Sequence, residues 1–111
     1  MASNKNERAT GAMSPGIDAR RFLAARETSF AGNAFSSKEQ VRELVDALLE
    51  NGADAVNVVE INESESYSAT LLVRNFRMER RLHADLVKVI VDAKPDEFDE
   101  VTDGVFRLWW D

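Results

Sequence analysis

Val105-Phe106-Arg107-Leu108-Trp109-Trp110 is the stretch on which the fold turns. So apolar and aromatic a run reads as a β-strand docked in a sheet. Successive strand side chains point to opposite faces. Phe106, Leu108 and Trp110 therefore form one face, and Val105, Arg107 and Trp109 the other. The first set is the natural core set. Trp109 is left beside Arg107 on a second face, which another element, another chain or a ligand must cover.

Working back from that strand, Asp103-Gly104 is a turn, and Asp96-Glu97-Phe98-Asp99-Glu100 reads as an acidic connector anchored by Phe98. A long helix is expected from about Arg77, with Met78, Leu82, Leu86, Val89, Ile90 and Ala93 as its apolar stripe, ended by Pro95. Upstream, Tyr67 to Phe76 is a strand with Tyr67, Ala69, Leu71 and Val73 on one face. Its hairpin partner is the valine-rich run Ala55 to Ile61, joined through the polar loop Asn62–Ser66.

The strongest helical signal is Val41, Leu44, Val45, Leu48 and Leu49, spaced as one face of a helix. Ser37 and Gln40 stand at capping-box spacing before it, and Asn51-Gly52 supplies a left-handed stop. Glu27 to Ser36 reads as a loop pinned by Phe30 and Phe35. Asp18 is placed to cap a short helix through Ala19–Arg26 that buries Ala19, Phe22 and Leu23. A strand through Phe22-Leu23-Ala24-Ala25 is the rival reading, and the Ala and Arg content favours the helix. Met1 to Gly16 has almost nothing to bury and is expected to be a disordered tail, leaving residues 17–111 as a single domain.

The order α-α-β-β-α-β predicts an α+β two-layer sandwich, with helices on one face of a mainly antiparallel sheet. The layout resembles a ferredoxin-like unit whose first strand is missing or replaced by Ala19–Arg26. The resemblance is architectural and names no function, because such folds serve many.

With 111 residues, 44% hydrophobic and 31% charged, the chain has the composition of one soluble globular domain. It has no cysteine, which excludes a disulfide scaffold, a thiolate metal site and a cysteine nucleophile, and suits a reducing compartment. The first residues lack an apolar leader, and no apolar run approaches the ~18 residues that span a bilayer. A cytoplasmic location without membrane attachment is the expectation. The charge is uneven. Residues 1–37 carry five basic and three acidic groups, net +2, whereas residues 38–111 carry nine and seventeen, net −8. Nucleic-acid modules show the opposite balance, since phosphate neutralisation supplies much of their affinity. An acidic fold suits a basic protein partner.

No residue pattern assembles a catalytic site. His83, the lone histidine, has Asp85 only two positions away, and such positions do not face each other on a helix. No nucleophile-elbow, zincin or phosphate-loop pattern is present. The carboxylates at Glu60, Glu63 and Glu65 and at Asp96–Glu100 lack EF-hand spacing, so neither a metal nor a cofactor is expected. Arg74, Arg77, Arg80 and Arg81 form the one basic concentration. Cations sit badly at a helix N-terminus, where anions bind well, so the cluster is a candidate anion site.

The expected binding residues are accordingly Arg74, Arg77, Arg107 and Trp109, with Arg and Trp the favoured interface anchors. The expected function is a non-enzymatic protein-interaction module. It is either a homodimer or an acidic inhibitor of the immunity type that masks a basic partner. The alternative is a regulatory domain that binds a small anion near Arg74 and Arg77. An enzyme built on His83 ranks last.

Overall fold

Helix formation follows the capping chemistry. In the computed structural model, which describes residues 16–75 and 80–111 (of 80–83 the backbone alone), Lys38–Glu50 is helical. The Ser37 hydroxyl accepts from the Gln40 amide at 3.4 Å, and the Gln40 side chain reaches back to the Ser36 amide at 2.8 Å. The capping box thus closes one residue early. Gly52 ends the helix at φ 119°, with the Ala53 amide donating to the Leu48 carbonyl, a Schellman closure. Val41, Leu44, Val45 and Leu48 are buried, and Leu49 packs at the margin.

The described elements are β1 (Ile17–Asp18), α1 (Ala19–Ala24), β2 (Ser29–Phe30), α2 (Lys38–Glu50), β3 (Ala55–Val59), β4 (Tyr67–Ser68), β5 (Thr70–Arg74), α3 (Arg80–Asp92), β6 (Glu97–Thr102) and β7 (Val105–Trp109). Five strands form one sheet in the order β1-β3-β5-β7-β6, and every pairing in it is antiparallel. Alpha-helical residues Phe22, Leu23, Val41, Val45, Leu48, Leu86 and Ile90 share one core with Val56, Val58, Leu71, Val73, Phe106, Leu108 and Trp110. The molecule is an α+β two-layer sandwich, as expected. β5 and β6 run parallel on either side of β7, with α3 between them in sequence, a split β-α-β arrangement, and the likeness to a ferredoxin-like unit is carried no further than that.

The parity of the last strand holds. Phe106, Leu108 and Trp110 are buried in the helix-side core, while Val105 joins Leu72 and Val59 in a small cluster on the opposite face. Phe30 and Phe35 meet the Trp110 ring edge-on at 5.9 and 5.3 Å, and Trp110 Nε1 donates to the Ala93 carbonyl at 3.0 Å. The two phenylalanines therefore pin their loop to Trp110 rather than reaching Trp109.

Four expectations are corrected. The Ala19–Arg26 segment is helical, as preferred, but it stops at Ala24, and a short β1 precedes it and pairs with β3. The loop from Glu27 to Ser36 contains β2, which pairs parallel with β4. The return strand does not run unbroken from Tyr67. Ser68 Oγ donates to the Val59 carbonyl at 2.6 Å and accepts from the Thr70 amide at 3.1 Å, replacing ladder bonds at the break. The acidic segment before β7 is not a connector but a six-residue strand, β6. Met1 to Pro15, Phe76, Arg77 and Met78, and the side chains of Arg80, Arg81, Leu82 and His83, lie outside the described residues.

Candidate functional site

The second face of the sheet is organised by one guanidinium. Arg107 lies mid-strand on β7, opposite Leu72 of β5. Its Nε and Nη2 donate to Glu60 Oε2 and Oε1 at 2.6 and 2.8 Å, a bidentate pair, and its Nη1 donates to Glu97 Oε1 at 3.1 Å. Glu60 follows β3 and Glu97 opens β6, so the side chain spans the sheet from β3 to its β6 edge. Beneath this span Leu72 is fully buried, along with Thr70, whose hydroxyl donates to Glu60 Oε1 at 3.2 Å. Glu60 reaches the arginine because the chain turns there with φ 53°, a left-handed conformation.

The electrostatics follow from this geometry. The Arg107 hydrogen bonds and charge hold the Glu60 carboxyl below its usual range, against the opposing effect of partial burial. The bond to Glu60, then that to Glu97, raises the guanidinium further above its already high value. Only 22% of the Arg107 side chain is exposed. This is an ion-pair network of one guanidinium and two carboxylates.

Beside it runs the sheet edge. All six residues of β6 are exposed, and among the described residues its one partner in the sheet is β7. Phe98 and Val101 are each 37% exposed. Residues 96–104 carry five carboxylates and no basic side chain. Glu97 stands opposite Trp109, Phe98 opposite Leu108 and Asp99 opposite Arg107. Glu97 and Asp99 therefore share the face of Arg107 and half-buried Trp109, while Phe98 lies on the helix side, its ring 5.8 Å from that of Phe106. Between Glu100 and Thr102 the register shifts at a bulge. The Glu100 carboxylate accepts from the Gly104 amide at 3.0 Å and steadies the β6–β7 turn.

Of the expected binding residues, the structure brings Arg107 and Trp109 together on β7. It sets Arg74 on the same face at the end of β5, half-buried and opposite Val105. Arg77 lies outside the described residues. A cleft of about 400 Å³ lies at the opposite sheet edge, lined among others by Ile17, Asp18, Arg21, Phe22, Thr28 and Glu65. Arg74, Arg107 and Trp109 do not line it. Among the described residues, no group of three or more His, Asp or Glu is placed to hold a metal ion, and no helix is long and apolar enough to cross a membrane.

Local sequence pattern does not name Glu60 and Glu97 as partners of Arg107. Glu60 lies just past β3, within a run expected to be strand to Ile61, and Glu97 lies in a segment expected to be a connector. The available signal was parity: an arginine on a strand that also buries its apolar neighbours needs acidic company on the same face.

Comparison with protein-family models, with curated proteins and with solved structures found no significant match.

Proposed function

We propose that this is a non-enzymatic protein-interaction module that takes a cationic protein partner at the acidic β6 edge. The observation that carries the reading is β6 itself: six exposed residues at a sheet edge, with carboxylates flanking a partly exposed Phe98. Exposed edges are the natural sites for pairing with another chain. The excess of negative charge in residues 38–111 would draw a basic protein and repel phosphate. Arg107 and Trp109 border the edge, and Arg107 holds one oxygen of the Glu97 carboxylate. Immunity-type masking of a basic partner is the form of interaction this charge suits best. The cysteine-free composition suits a reducing compartment, and the cytoplasm is the location this reading assigns.

Glu60 is a poor candidate for a general acid. A general acid needs a carboxyl whose proton is retained near neutrality, and Arg107 drives Glu60 the other way.

The test is a titration of isotope-labelled protein with a short cationic peptide of alternating lysine and valine, followed by amide chemical shifts. Shifts concentrated on β6 and on the Trp109 indole are expected, weakening as salt is raised. Shifts confined to the helices, or none, would overturn the reading.

A further inference from the structure

Resting on the edge reading above, we infer that the partner binds β6 by strand addition, presenting an extended segment in which basic and apolar residues alternate. Charge alone would accept any cationic surface. The register of β6 demands more. Between Glu97 and Asp99 the strand is regular, before the bulge at Glu100 and Thr102 interrupts it. Within that stretch Glu97 and Asp99 point to the Arg107 face and Phe98 to the helix face. A strand laid along β6 has the same two-residue period. Its side chains opposite Glu97 and Asp99 meet carboxylates, and the one between them meets the exposed part of the Phe98 ring. Basic, apolar, basic is the pattern that satisfies all three, and main-chain hydrogen bonds supply affinity independent of side chains.

The same register argues against a second copy as the occupant. An antiparallel copy centred on Phe98 would set Glu97 against the copy's Asp99, twice over. Like charges directly opposite on neighbouring strands destabilise the pair. In that register the edge repels itself and accepts a cationic strand.

Two peptides of identical composition decide the matter, one alternating lysine with valine and one with all lysines preceding all valines. Strand addition predicts that the alternating peptide binds at least ~10-fold more tightly, because only it can place both residue types in register. It also predicts slowed hydrogen exchange at β6 amides in the complex. Asp99→Asn, which removes a carboxylate without setting a like charge opposite Arg107, should leave the melting temperature in place and weaken the preference. Equal affinity for the two peptides, without protection of β6, would overturn strand addition while leaving a charge-driven interaction module standing. Failure of both peptides to bind would overturn both readings. A dimer in light scattering with β6 protected in the free protein would show that a second copy takes the edge, and would overturn the basic partner.

Discussion

Two adjacent tryptophans have opposite fates, and their side chains set the first predictions. Trp110 is buried against Phe30 and Phe35 with its indole N–H satisfied, so Trp110→Ala should cost ~3–5 kcal/mol in urea denaturation. Trp109, half-buried on the other face, should cost ~1 kcal/mol or less. Equal losses would mean that both rings are core. Glu60 carries a pH signature. Its folded pKa is lowered, so the unfolded chain binds more protons, and the pair's stabilisation is present above about 4.5 and lost as pH falls through the lowered folded value. Glu60→Gln should therefore destabilise by up to ~1 kcal/mol at pH 7, a magnitude reduced by solvent screening, and by much less at pH 2. Chemical denaturation across that range checks it, and a constant difference would contradict the assigned shift. Arg107 stays charged throughout and adds no slope of its own. The tryptophan and arginine positions were legible from strand parity alone. The partners of Arg107 were not, because a cross-sheet contact between residues 60, 97 and 107 leaves no mark in local periodicity.

Among the elements, those with a buried stripe were legible and those without were not. α2 has its stripe, caps and stop in the sequence and forms as expected. Leu48→Ala should cost ~2–5 kcal/mol and exposed Glu43→Ala under ~0.5, both read by urea titration. β6 was missed because acidic residues have poor strand propensity and none of its six side chains is buried, so it shows no alternation. It is a strand because β7 offers it a ladder. β1 was missed because two residues cannot display a period. Its signal was Gly16, which has φ +68° and whose added Cβ would lie 2.1 Å from the Val58 carbonyl oxygen. Gly16→Ala should detach β1 from β3 at a cost of ~1–3 kcal/mol, seen as faster hydrogen exchange at Ile17 and Val58. Unchanged exchange would show that the close approach is not needed.

At the scale of the molecule, the sheet has helices on one face and a charged, arginine-spanned surface on the other. Its β6 edge, unpaired among the described residues, is guarded by carboxylates, the usual device against edge-to-edge association. The protein should therefore be monomeric in light scattering at pH 7 and should self-associate as the pH approaches its isoelectric point near 4.8. A dimer at neutral pH would show that repulsion does not control the edge. The strand parity that separates Trp109 from Trp110 also gives the protein two built-in optical probes. One indole sits in an aromatic, dry setting and should emit to the blue; the other borders water and carboxylates and should emit to the red. Charged quenchers should tell them apart: caesium, drawn in by Glu97, should reach Trp109, while iodide is turned away and neither penetrates to Trp110. Single-tryptophan versions would then let the two faces of one sheet be watched separately as the protein unfolds or meets another chain.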